Sequence, residues 1–242
     1  MSMFYKVDQL KRELDASHPL PMATVQSLKK DFLVQNTYHS NAIEGNTLTI
    51  YETKAVLEDG IVVGGKSLKE HLEVINHKEA SLYIEEHLEE AVTEHFIKEV
   101  HALILSGIDR QAAGAYRKEE VRIAGATHDV TPSHLIQDEM EQLVQWYNES
   151  SHLHPVERAS RLHSKFVNIH PFRDGNGRTA RLLLNFSLLS AGYLPVLFKV
   201  EERISYYEAL DLAGAKGDCQ PFIKMVVELE EASLQQYLAL LP

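Results

Sequence analysis

Apolar residues recur at helical spacing along most of this chain. Leu135, Ile136, Met140, Leu143, Val144 and Tyr147 fall on one helix face, and Ala159, Leu162, Phe166 and Ile169 do the same between about Val156 and Ile169. The run Leu182-Leu183-Leu184-Asn185-Phe186-Ser187-Leu188-Leu189 is apolar nearly all round, which predicts a buried helix beginning near Asn176. Pro221 to Leu241 reads as another helix, and Leu10, Leu14, Val25, Leu28 and Phe32 fit helices packed against a core.

Start and stop signals sharpen these elements. Thr49-Ile50-Tyr51-Glu52 and Ser67-Leu68-Lys69-Glu70 both read as capping boxes, in which side chain and backbone satisfy each other's free groups. Thr131 before Pro132 reads as an N-cap with proline at the first helical position, and Pro171 ends the helix before it because residues preceding proline avoid helical geometry. Only between Arg122 and Thr131 does the pattern alternate, around Gly125, which predicts a short β-hairpin. The expectation is a mainly helical single domain without linkers or repeats.

Composition narrows the function classes. With 44% apolar residues, 242 residues bury one substantial core. A net charge of -11 opposes nucleic-acid binding through a general basic face. The single cysteine, Cys219, excludes an internal disulfide, and the N-terminus lacks a continuous apolar signal region. No apolar run approaches the roughly 18 residues that cross a bilayer, so the expectation is a cytoplasmic protein with no membrane partner. No further module is expected after Pro242.

The densest chemistry lies in His170-Pro171-Phe172-Arg173-Asp174-Gly175-Asn176-Gly177-Arg178-Thr179-Ala180-Arg181. A histidine with a pKa of about 6.5 can accept a proton near neutrality. Asp174 offers the hard oxygen that Mg²⁺ prefers. The glycines permit a tight turn, and the free amides at a helix start bind phosphate. Arg178 and Arg181, three residues apart, add two cations on neighbouring helical positions. Together these suit a polyphosphate. By spacing alone, His163 and His170 with His152 or His154 also fit zinc, although no cysteine accompanies them.

This stretch resembles the signature HPFxDGNGRxxR of Fic-domain proteins at every fixed position, and Ser40-Asn41-Ala42-Ile43-Glu44-Gly45-Asn46 resembles the inhibitory motif of autoinhibited members. The resemblance runs from roughly Thr37 to Leu238. It implies an all-α, Fic-type helical bundle with a small β-hairpin flap over the site. It divides the chain into an N-terminal helical extension (1–36), an inhibitory segment (37–60) and the Fic domain (61–242). The implied activity is transfer of AMP from ATP, with Mg²⁺ or Mn²⁺, to a Ser, Thr or Tyr hydroxyl of a target protein.

Residue by residue, the resemblance assigns His170 as base, Asp174 as metal ligand, and Gly175, Asn176, Gly177, Arg178, Thr179, Ala180 and Arg181 as the phosphate site. Arg122, Ile123, Ala124 and Gly125 belong to the flap that captures the target. Tyr206 and Tyr207 are expected beside the base and ribose. Glu44 is expected to pair with Arg181, switch the site off and take part in removing AMP. Members resembling the Doc toxin carry Lys where this chain has Gly177, so Gly177 favours AMP transfer over phosphate transfer. Gly214 departs from relatives that place an asparagine near the adenine. A nucleotide-sensing module without transfer, or transfer of another nucleotide or phosphoryl-linked group, stay open, as does a homo-oligomer.

Overall fold

In the computed structural model, residues 2–17 and 20–241 are described. Ten α-helices account for most of them, with no β-strand among the described residues. The N-terminal part contributes α1 (Tyr5–Ala16), α2 (Met22–Ile43), α3 (Ile50–Asp59) and α4 (Leu68–Glu86). Then follow α5 (Glu94–Ile104), α6 (Ile136–Glu149), α7 (Pro155–Ile169), α8 (Asn176–Ser190), α9 (Arg203–Lys216) and α10 (Gln220–Leu238). The division expected at residue 36 falls inside α2.

The apolar run after Asn176 becomes the central helix, because a helix without a polar face is stable only when surrounded. Most side chains of α8 from Asn176 to Leu188 are buried, and α7 packs along it as an antiparallel partner. One side of this pair meets α4, α5 and α6 through Phe96, Ile97, Met140, Phe166 and Phe186. The other meets α1, α9 and α10 through Leu184, Leu188, Tyr206, Phe222 and Val226. Both predicted capping boxes form, at Thr49 with Glu52 and at Ser67 with Glu70. Leu10 and Leu14 pack against the second cluster, as expected.

α2 follows a different rule. Its C-terminal half buries Asn36, Thr37, His39, Ser40 and Asn41 rather than an apolar stripe. Buried polar groups are costly unless bonded, and this face turns out to meet the arginines of α8.

Two expectations fail. The predicted β-hairpin flap is a loop: Ala126 donates to the Ile123 carbonyl at 3.2 Å across the turn, and no ladder extends it. Arg122 and Asp129 sit 4.0 Å apart on it, both almost fully exposed. A lone two-stranded ribbon is marginal in water, so side-chain ties hold this segment instead. Thr127 and His128 bond Asp211 of α9, and Ser133 bonds Glu120. The helix expected from Thr131 begins later, at Ile136 after a 3-10 turn over Ser133–Leu135, because the Thr131 carbonyl is engaged by Arg117 Nη2 at 2.5 Å.

Candidate active site

His170 terminates α7 in the left-handed region (φ 53°), the one non-glycine residue at positive φ among the described residues. Such backbone costs of order 1–3 kcal/mol and persists only where surroundings enforce it. Here the enforcement is Arg117, almost fully buried, whose Nε donates to the His170 carbonyl at 2.8 Å while its amide bonds the Pro171 carbonyl. Burial lowers the His170 imidazole to about 4, Arg117 adds to the effect, and the Val167 carbonyl with Glu44 and Asp174 oppose it. Nδ1 nevertheless makes no bond of hydrogen-bonding geometry. The ring is therefore neutral near pH 7 and able to accept a proton.

The turn that follows is built from its own residues. Asn176 grips the Phe172 backbone at both ends, accepting from N at 2.9 Å and donating to O at 2.8 Å. Gly175 caps α8 at φ 78°, a conformation glycine adopts without steric cost. No side chain caps the helix, and uncapped amides at a helix start suit an anion. Thr179 does not join them, since its amide bonds the Gly175 carbonyl at 2.9 Å. Thr179 and Ala180 side chains are fully buried in the core.

His101 was not legible from the sequence, being one polar residue on the apolar face of α5. It accepts from the Gly114 amide through Nδ1 at 3.0 Å and donates from Nε2 to the Asp174 carbonyl at 2.9 Å. Its ring lies flat on Phe172, 3.5 Å between centroids, so it buttresses the turn from beneath.

Asp174 uses Oδ1 for the Gly175 amide at 2.6 Å and Arg178 Nη2 at 3.0 Å, leaving Oδ2 with only Lys69 Nζ at 3.8 Å. Burial alone would raise its carboxyl, but Arg178, the Gly175 amide and Lys69 together hold it below its ordinary value. An ionised oxygen on a half-exposed side chain beside the first turn of α8 suits a hard cation that takes its other ligands from phosphate and water. Arg178 is almost fully buried between Asp174 and Glu73, so it orients the carboxylate.

Arg181 is the junction with α2. Its Nε donates to Ser40 Oγ at 2.9 Å, and Nη2 to the Ser40 carbonyl and Glu44 Oε1, both at 2.8 Å. Its Nη1 donates to Tyr206 Oη at 3.3 Å. The Glu44 carboxylate thereby lies over Gly177, where a Cβ would come within 2.2 Å of Oε1. Glu44, His170, Gly177, Arg181, Tyr206 and Tyr207 line one cavity of 640 Å³, roofed by Ile123, Ala124 and Gly125 of the loop. Arg122 points away into solvent. Tyr207 donates to the Ile43 carbonyl at 3.2 Å, whereas Tyr206 is buried with its hydroxyl engaged in the protein.

The alternative zinc set is not assembled. His154 bonds Asp8, His163 bonds Tyr206, and no group of three metal-type ligands occurs among the described residues.

The sequence model of the Fic/DOC family matches residues 91–188. A solved Fic-domain signalling protein from Bacteroides thetaiotaomicron superposes with a TM-score of 0.89 at 31% identity, covering 97% of this chain and 96% of that one. The chain belongs to the Fic/DOC family. A solved fragment of Fic-1 from Caenorhabditis elegans gives a TM-score of 0.88 at 36% identity, over 98% of this chain and 71% of that one. The protein adenylyltransferase fic-1 of the same nematode is 42% identical over 209 residues, 83% of this chain and 40% of that protein. The protein adenylyltransferase Fic of Nematostella vectensis is 38% identical over 98% of this chain and 56% of its own length. The chain thus spans about half the length of the curated relatives it matches.

Proposed function

We propose that this chain transfers AMP from ATP to a hydroxyl side chain of a target protein and is held off by Glu44. The observation that carries the reading is the ion pair of Glu44 with Arg181 at the open amides of α8, in the cavity that His170 lines. A triphosphate occupying those amides needs the space the carboxylate fills. The names of the relatives support the same chemistry.

In this reading the amides of Asn176, Gly177 and Arg178 cradle phosphate oxygens, and Arg181 holds the far end of the triphosphate. Such preorganised donors act where charge develops in transfer. His170 takes the proton of the attacking hydroxyl as its oxygen bonds to the α-phosphorus, and pyrophosphate leaves. The phosphates' negative charge raises the imidazole from its depressed value toward the working range. Asp174 Oδ2 would hold Mg²⁺ or Mn²⁺, which supplies charge neutralisation on the phosphates. The loop Ile123–Gly125 would take the target polypeptide by main-chain pairing. The buried, unpaired Cys219 is in keeping with a reducing, cytoplasmic setting.

Label from α-labelled ATP should enter the chain or a partner more readily with Glu44→Gly than with the unsubstituted protein. His170→Ala should abolish it in either background, a loss on the order of 100-fold or more. Equal incorporation with and without Glu44 overturns the inhibitory role, and ATP binding without any transfer favours a nucleotide-sensing module. Release of AMP from a modified target, lost on substitution of Glu44, is the expectation if the same site also removes AMP.

A further inference from the structure

His163 lies one layer beneath the nucleotide cavity, with no solvent exposure, caged by Phe198, Tyr206 and Phe222. Its Nε2 lies 3.0 Å from Tyr206 Oη, the same oxygen that receives Arg181 Nη1 at 3.3 Å. We infer that His163 is a positioning residue for Arg181, acting through the Tyr206 hydroxyl.

The polarity of this relay follows from the groups themselves. A guanidinium can only donate, so the Tyr206 oxygen accepts from Arg181. The phenol proton then has one acceptor within reach, His163 Nε2. Reversing the second bond leaves two buried groups unsatisfied, the phenol proton and the Nδ1 lone pair. The arrangement assigned here leaves one, the Nδ1 proton, since Nδ1 has no partner in either case. Burial and the nearby Arg181 keep the imidazole neutral, pushing its pKa well below 6.5. Protonation would put a donor against an oxygen that needs an acceptor and a second cation beside Arg181.

The consequence is a defined guanidinium plane. Ser40 fixes its Nε edge and Tyr206 its Nη1. When Glu44 leaves, one Nη2 proton and the unused Nη1 proton face the cavity without rotation of the side chain. Truncating the relay at His163 frees Tyr206 and lets that plane turn. The cost falls on whatever Arg181 holds, which in the function proposed above is the outer phosphates of ATP, and this role rests on that reading.

The test uses the full chain with Glu44→Gly, alone and combined with His163→Phe, which keeps a ring without the acceptor, or His163→Gln, which restores one. Affinities for a non-hydrolysable ATP analogue with Mg²⁺ and for AMP are compared by calorimetry. His163→Phe should weaken the ATP analogue about tenfold, the scale of one hydrogen bond to a charged group, and leave AMP within about twofold. His163→Gln should recover most of the loss. Equal weakening of both nucleotides, or of neither, overturns the relay while leaving the activity standing. A Glu44→Gly parent that binds no ATP overturns the activity itself. Independently of nucleotide, ¹⁵N shifts of His163 in the unsubstituted chain should report the neutral Nδ1–H tautomer at pH 7, and the Nε2–H tautomer would contradict the relay.

Discussion

Glu44 Oε1 rests so close over Gly177 that a Cβ on that glycine would fall 2.2 Å from it. The absence of a side chain at 177 is therefore what lets the carboxylate reach Arg181, as well as what opens the helix amides to an anion. The two residues are coupled by contact, and coupling is measurable.

Gly177→Ala should lower thermal stability in the unsubstituted chain by displacing Glu44 from Arg181. The same substitution in Glu44→Gly should cost distinctly less, because the collision is gone. A double-mutant cycle read by denaturant unfolding checks this, with an interaction of about 0.5–3 kcal/mol expected for residues in contact. Additive effects would mean that the glutamate does not occupy this position in solution.

Acidification should destabilise the fold well before carboxylates titrate. Burial holds His77 at about 3, His101 and His170 at about 4, and His163 well below 6.5. Unfolded imidazoles take up protons near 6.5. Between roughly 6.5 and 4 the unfolded chain thus binds more protons, so stability rises with pH and is lost as pH falls. The urea midpoint should drop steadily from pH 7 to pH 5, and a flat profile would refute the neutral assignments.

Glu230 works in the opposite direction. It has no solvent exposure, its Oε1 accepts from the Leu194 amide at 3.0 Å, and its Oε2 has no partner. Burial raises its carboxyl to about 8, against the pull of the Leu194 amide and Lys11. Unfolded, it ionises near 4.3, so between about 4.3 and 8 the folded state holds the extra proton and stability falls as pH rises. Glu230→Gln should stabilise the protein at pH 8 and do little at pH 4, as melting temperatures across that range will reveal.

The loop over the cavity is tied at Gly214, where a Cβ would fall 2.2 Å from His128 Nε2. Gly214→Ala should expel the ring, loosen the Thr127 and His128 bonds to Asp211, and free the loop. Because Arg122 is almost fully exposed, trypsin should then nick the chain after Arg122 several times faster. An unchanged digestion rate would show that the tie at Gly214 does not restrain the loop.

What could be read along the chain was local. The capping boxes at Thr49 and Ser67 formed because each closes within four residues, and α7, α8 and α10 appeared where apolar spacing placed them. The turn from His170 to Arg181 was legible for the same reason: its base, carboxylate, glycines and arginines are consecutive, so their proximity needs no fold. The Glu44 contact, spanning 137 residues, was anticipated only through a resemblance.

Tertiary structure decided the rest, because the same side chain serves different ends according to what surrounds it. Alternation over Arg122–Thr131 suggested strands, yet a ribbon without a sheet gains too little from its own pairing, and ties to α9 replaced the ladder. Arg178 and Arg181 look alike in sequence. One is enclosed by Asp174 and Glu73, and the other is presented to the cavity by Ser40 and Tyr206. His101 carries no spacing signal and the spacing of His163 pointed to zinc rather than to Tyr206, since a histidine on an apolar face takes its role entirely from the donor or acceptor that folding brings against it. The sequence by itself determined which chemical groups stand at the turn. Only the packing of α2, α7 and α9 around α8 decided which of them remain free to act.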